Sequence, residues 1–197
     1  MSDVPEGYKM SEVGVIPEDW EVKSLENIGL FKKGKNIPKK DLTSEGVPCV
    51  LYGEIYTKYN FTSEKLSSFI PLAIAQQSTS ISKGDILFAG SGETVEEIGK
   101  CFTYLGDERA CAGGDINIFS PFKDDSTFLG YLLNSPQVNK QKSNFGQGSS
   151  VVHIYSSSLK TILIPTPPLP EQQAIASALS DVDALITALE QLITKKR

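Results

Sequence analysis

The sequence predicts an α/β fold, a strand-rich mixture of strands and short helices, closed by one long coiled-coil helix. Three observations carry that expectation. Between Phe31 and about Ser120, short β-branched and aromatic runs are bounded by glycine-containing turns, which is the signature of strands. Two stretches, "SEKLSSFIPLAIAQQ" and "DSTFLGYLLNSPQVNKQKS", read instead as helical interludes. After a proline cluster, the final segment repeats apolar residues at alternating spacings of four and three.

Residues 1–28 read as an entry arm, with Pro17 ahead of an acidic turn and Trp20, Val22, Leu25 and Ile28 as apolar anchors. "VPCVLYGEIYT" and "DILFAG" follow as strands, and "DINIFSP" alternates like a half-buried strand that ends near Pro121. Asp125 or Ser126 suits a helix N-cap, with Phe128, Leu129, Leu132 and Leu133 on one side. "NFGQGSSVVHIYSSSLKTILIP" reads as a Gly/Ser loop, a strand, and a short run into proline. Residues 1–165 therefore form one mixed domain, and residues 166–197 a spacer and helix.

"PTPPLPEQ" is expected to act as a stiff spacer, because successive prolines fix φ. Pro170 fits a first helical turn and Glu171 complements the positive helix end. Ile175, Leu179, Val182, Ile186, Leu189 and Ile193 then form an a/d seam, flanked by Leu185 and Leu192. Such a helix can fold back on its own domain or stand out from it. The stiff spacer and the regular 3.5-residue period favour a projecting rod of roughly 40 Å. The cations Lys195, Lys196 and Arg197 suit a helix C-terminus.

Composition narrows the class. Hydrophobic content of 40% and charged content of 22% are ordinary for a globular protein. No run approaches a membrane-spanning length, and "MSDVPEGYKM" lacks the pattern of a secretory signal, so a cytoplasmic protein is expected. Cys49, Cys101 and Cys111 form no C-x-x-C pair, and with one histidine no metal site is expected. The net charge of −5 argues against indiscriminate polyanion binding but permits a localised basic face.

The catalytic motifs fail one after another. "GLFKKGKN" approaches a phosphate-binding loop, but Asn36 stands where a hydroxyl is needed and Ile37-Pro38 would break the following helix. "GETVEEIGKC" places six residues between its glycines instead of four. The sole histidine, His153, has no G-x-S-x-G partner, and "AGSGE" around Ser91 is a near miss. No dinucleotide or adenosylmethionine fingerprint occurs. Binding is what remains. "KKGKNIPKK" gathers Lys32, Lys33, Lys35, Lys39 and Lys40 into a stretch read as a loop, which either tracks a phosphate backbone or is simply solvated. "AGSGETVEE" is the second candidate. Its small residues, Ser91 among them, allow close approach, while Glu93 and Thr94 either contact base edges or hold the turn.

"GVIPEDWEVKSL", "GDILFAGSGE", "AGGDI", "GQGSS" and "IPTPPLPEQQAIASALSDVDALI" occur in this order along the chain. Together they resemble the specificity subunits of type I restriction–modification systems over essentially the whole sequence. The resemblance implies a non-catalytic target-recognition domain that reads half of a split double-stranded DNA sequence, followed by the family's spacer helix. It also implies methyltransferase partner subunits bringing S-adenosylmethionine, and a restriction subunit bringing ATP hydrolysis and magnesium. None of these cofactors is expected in this chain. The family's unit occurs twice in a full subunit but once here, so the chain is either a half-subunit or a fragment. Either way the seam lacks its partner, and a homodimer through antiparallel helices is expected. Two other classes stay open: a stand-alone DNA-binding or regulatory, DNA-mimicking module, and a hydrolase built around Ser91, Glu93 and His153.

Overall fold

The computed structural model describes residues 4–35, 37–148 and 150–195; Lys196 and Arg197, the last two cations of the terminal run, lie outside them. In chain order, β1 (Tyr8–Ser11) and β2 (Gly14–Pro17) form a hairpin, followed by β3 (Glu21–Ser24), the single turn α1 (Leu25–Ile28) and β4 (Gly29–Lys33). A 3-10 turn over Lys39–Asp41 leads to β5 (Val47–Val50), α2 (Tyr52–Thr57), β6 (Thr62–Ser63), β7 (Ser68–Ile70), α3 (Leu72–Ala75) and β8 (Thr79–Ile81). Next come β9 (Ile86–Ala89), β10 (Ser91–Gly92), β11 (Cys101–Tyr104), β12 (Ala110–Ala112) and β13 (Ile116–Pro121). The chain closes with α4 (Ser126–Leu132), α5 (Pro136–Ser143), β14 (Val152–His153), α6 (Ser156–Lys160), β15 (Leu163–Thr166) and α7 (Leu169–Lys195).

The centre is a five-stranded sheet in the order β4-β13-β9-β11-β6, antiparallel except at β11-β6. Side chains alternate across it. Ile86, Phe88, Cys101 and Phe119 pack on α4, α5 and α6, while Leu87, Ala89, Phe102, Tyr104, Ile116 and Ile118 pack on the other side. That other layer is a four-stranded sheet, β7-β5-β12-β8. Because both faces are covered, β9 is a continuous apolar run, Ile-Leu-Phe-Ala, with every residue buried.

Several segments differ from expectation, each for a tertiary reason. β13 was expected to be half-buried, yet Asn117 on its polar face is 1% exposed. Its Nδ2 donates to the Ile154 carbonyl at 3.1 Å, so the amide is satisfied without water. "VPCVLYGEIYT" is a strand only as far as Val50. Glu54 accepts from the Leu51 N–H at 2.9 Å and closes the first turn of α2. "SEKLSSFIPLAIAQQ" is mostly extended, since Ser68–Ile70 pairs with β5 and leaves only the short α3 helical. The lysine-rich "loop" begins as strand, because Lys32 and Lys33 lie in β4 opposite Ile118 and Asn117. The entry arm is built into the domain: β3 pairs with β15, register Val22 to Pro165. Asp125 is the N-cap of α4, accepting from Phe128 N at 2.8 Å.

That same pairing shortens the proline spacer. Thr166 is still in β15, Pro167 is buried and α7 starts at Leu169, so only Pro167 and Pro168 link strand to helix. The base of α7 is fastened to the domain by polar groups. Gln172, 1% exposed, accepts from Asp125 N at 2.8 Å and donates to Asp124 Oδ1 at 2.8 Å and the Pro167 carbonyl at 3.0 Å. Trp20 Nε1 donates to Glu171 Oε2 at 3.0 Å, and Tyr131 Oη to Asp183 Oδ2 at 2.8 Å.

Lys142 of α5 is fully buried, with Nζ donating to the Gly99 carbonyl at 2.7 Å. Burial pushes its pKa below the ordinary 10.5. Two stability predictions follow from these anchors. Gln172→Ala should cost about 3 kcal/mol in denaturant unfolding, since one buried and two half-buried partners lose their bond at once. For Lys142, between its lowered native pKa and 10.5 the unfolded chain binds a proton that the native protein does not. Wild-type stability relative to Lys142→Met should therefore rise with pH across that window and be flat below it. Urea titrations over an alkaline pH series read the difference.

Candidate nucleic-acid interface

One end of the central sheet collects the loops that carry the predicted site. As β4 leaves the sheet, Gly34 N donates to the Ile116 carbonyl at 2.8 Å and Lys35 N to the Ala112 carbonyl at 3.2 Å. A Cβ on Gly34 would collide with the Gly113 carbonyl oxygen, which is why a glycine stands there. At the end of β9, Gly90 N donates to Asp115 at 2.6 Å and its carbonyl accepts from Ile154 N at 2.9 Å. Gly34 and Lys35, the "AGSGE" turn, "AGGDI" and residues 150–155 therefore meet on one edge. α2 joins them, because Tyr56 Oη donates to the Ser91 carbonyl at 3.1 Å. Burial pushes the Tyr56 phenol up to about 12, so it remains a donor at neutral pH.

Beside this edge lies a cavity of about 590 Å³ bordered by Pro38, Lys39, Leu51, Tyr52, Gly53 and Asp115. Lys33 Nζ is 4.0 Å from Asp115 Oδ1, while Lys35, Lys39 and Lys40 are exposed. Tyr52, Val151 and Tyr155 add exposed apolar surface at 40%, 48% and 51%. Glu54, Asp115 and the exposed Glu93 lie on the same edge, so it is mixed in charge, and its exposed lysines and aromatic rings suit local contacts to a phosphate backbone with bases within reach.

Not every predicted residue belongs there. Lys32 reaches the opposite way, its Nζ 3.3 Å from Asp85 Oδ2, and Asp85 is buried. Its charge compensates a carboxylate that also accepts from Ser82 N at 2.9 Å. Ser91 is 2% exposed, so its hydroxyl is not a surface contact; Ser91 Oγ and His153 Nδ1 are 2.9 Å apart. Thr94 Oγ1 accepts from Glu97 N at 3.4 Å and holds the turn, whereas Glu93 is exposed. Tyr52 and Tyr155 escaped the sequence reading because each sat in a segment read as an ordinary strand.

The chemistry of the edge is that of contacts rather than bond making. Among the described residues no carboxylate hydrogen-bonds to His153, so the Ser91–His153 pair lacks the group that would orient a general base. Burial pushes the Cys49 thiol up to about 12 and Cys101 to about 11, which leaves both protonated and unreactive. Among the described residues no cluster of three or more His, Cys, Asp or Glu side chains is placed to hold a metal.

The helix seam completes the site inventory. Ile175 packs partly into the main core, while Leu179, Val182, Ile186, Leu189 and Ile193 are 38%, 53%, 47%, 51% and 57% exposed. Leu185 and Leu192, on its flank, are exposed as well.

The model of the type I restriction modification DNA specificity domain matches residues 17–196. The chain belongs to this family. A specificity domain is thus the unit that carries the sheet-end edge and the helix. Similar relatives include the MjaVIII specificity subunit of Methanocaldococcus jannaschii, 31% identical over 91% of this chain and 43% of the relative. The Escherichia coli EcoKI specificity subunit is 24% identical over 91% of this chain and 40% of its own length. The specificity domain therefore spans about two-fifths of the curated relatives it matches. Among solved structures, the S subunit from M. genitalium superposes with a TM-score of 0.61 at 23% identity, covering 88% of this chain and 41% of that one. The HsdS subunit from Thermoanaerobacter tengcongensis gives 0.63 at 18% identity, over 95% and 43%. The mixed α/β fold with its long C-terminal helix is shared with both.

The geometry separates the lysines by role. Alanine at Lys35 or Lys39 should each lower the slope of log affinity against log salt by up to about 0.9, the share of one phosphate contact. Lys32→Ala should leave that slope unchanged and lower stability instead. Fluorescence anisotropy with a labelled duplex at several salt concentrations checks the first, and thermal unfolding the second.

Proposed function

We propose that this chain is a non-catalytic specificity subunit that reads one half of a bipartite DNA target through the sheet-end edge. It pairs with a second copy through α7, so that two identical domains are held apart at a fixed distance. The assembled pair then docks methyltransferase subunits, which supply S-adenosylmethionine, and a restriction subunit, which supplies ATP hydrolysis with magnesium.

The orientation of α7 carries the pairing. Its domain-facing stripe runs through Gln172, Ala176, Ser180 and Asp183, the more buried positions of the helix. At 100° per residue the a/d seam lies roughly a quarter turn away from that stripe. Folding back on its own domain therefore does not cover the seam beyond Ile175. A second α7 laid antiparallel does, and each Leu or Ile so buried contributes about 2 kcal/mol. The exposed Lys35, Lys39 and Lys40 with the nearby aromatic rings support DNA reading despite a net charge of −5, because they offer local phosphate contacts.

Two identical domains related by a twofold axis read a split motif whose halves are inverted copies. Methylome sequencing with and without this protein is expected to show such a motif appear and vanish; an unchanged methylome, or a motif with unrelated halves, counts against the reading. Sedimentation of the wild-type chain at micromolar concentration should give a dimer. Leu179→Glu, Ile186→Glu and Leu189→Glu together should give a monomer with the domain still folded. A wild-type monomer with its helix intact would remove the pairing. Co-purification with a methyltransferase subunit distinguishes this reading from a stand-alone DNA-binding or DNA-mimicking regulator, the alternative that the acidic composition favours.

A further inference from the structure

We infer that His153 is a specificity-determining residue, whose ring is held by Ser91 as the Nε2–H tautomer and donates to a base-edge acceptor of duplex DNA. The inference rests on the DNA-reading role proposed above for this edge.

The backbone of His153 is clamped from both sides. Its N–H donates to the Gln147 carbonyl at 2.7 Å and its carbonyl accepts from Gln147 N at 3.0 Å. On the other side β14 pairs with β10, register His153 to Ser91 and Val152 to Gly92. The ring is held as well. Nδ1 lies 2.9 Å from Ser91 Oγ, and the Tyr155 ring centroid is 6.5 Å away at an interplanar angle of 25°.

The serine fixes the tautomer. Ser91 is 2% exposed, and His153 Nδ1 is the single hydrogen-bond partner of its hydroxyl among the described residues. If Nδ1 carried the proton, the buried O–H would have no acceptor among the described residues. If the hydroxyl donates to Nδ1, both groups are satisfied and the ring proton must sit on Nε2. That nitrogen is on the far side of the ring, and it hydrogen-bonds to no other described residue. The ring is half-buried, flanked two residues away on each side by the exposed Val151 and Tyr155. An N–H donor between apolar neighbours suits a base edge, with guanine N7 and O6 or thymine O4 as acceptors. A phosphate is better held by the lysines across the edge.

The chain has one histidine, so ring signals need no assignment. Long-range proton–nitrogen correlation on the intact protein, with the ring neutral, should show the Nε2–H form. Ser91→Ala should convert it to a tautomer mixture. An Nδ1–H ring in the wild type overturns the inference without any variant. The second arm selects from a random duplex library with wild type, His153→Ala and His153→Gln, each confirmed folded by circular dichroism. Wild type should return a motif, and His153→Ala the same motif with preference at one base pair reduced about tenfold. An unchanged motif and affinity in His153→Ala overturns the inference while leaving DNA reading intact. A uniform loss of affinity with the motif preserved makes His153 a phosphate contact and overturns it too. A wild type that selects no motif removes the DNA-reading proposal itself, and this inference with it.

Discussion

The rest of the structure depends on a central sheet covered on both faces. β9 lies in its middle with no side chain reaching water, so every neighbour must supply either apolar surface or a hydrogen bond. The helical layer and the second sheet do the first, and Asn117 and Asp85 show the second, each buried and each paired. With both faces used, the only places left for exposed chemistry are the sheet's ends. That is where Gly34, Gly90 and Gly113 let five stretches of chain approach closely. The candidate interface is in this sense a product of the packing, and its residues come from segments far apart in sequence.

The helix poses the complementary problem. A long helix attached through two prolines would swing unless its base were fixed. Gln172, Glu171 and Asp183 fix it with hydrogen bonds to three different parts of the domain. Polar anchoring leaves the apolar residues free for another surface, since the stripe that meets the domain and the stripe that carries leucine and isoleucine are different. The same sequence thus separates intramolecular attachment from an exposed apolar stripe on one cylinder.

The signals that were legible in the chain were local ones. The 4-3 spacing of Ile175 to Ile193 depends on the chain's own periodicity, and so does the capping of α4 by Asp125. The failure of each catalytic motif was equally plain, because those motifs require fixed residues at fixed spacing. The errors lie where partners are remote. "SEKLSSFIPLAIAQQ" has a helical composition, yet β5 supplies hydrogen bonds that make Ser68–Ile70 a strand. Lys32 looked like part of a basic loop until Asp85, 53 residues away, claimed it. Ser91 and His153, 62 residues apart, were joined only in the hydrolase alternative, and their contact is a consequence of two-residue strands that no propensity scale detects.

The sequence alone therefore determined the class of fold, the long terminal helix with its unpaired apolar seam, and the kinship to DNA specificity subunits. These rest on periodicity and on motif order, which are properties of neighbours along the chain. Tertiary structure decided which lysines face outward, which way the seam points, and which face of His153 is left to act. Those are questions of who meets whom in space, and burial answers them by forcing each polar group inside to find a partner and leaving the rest at the surface.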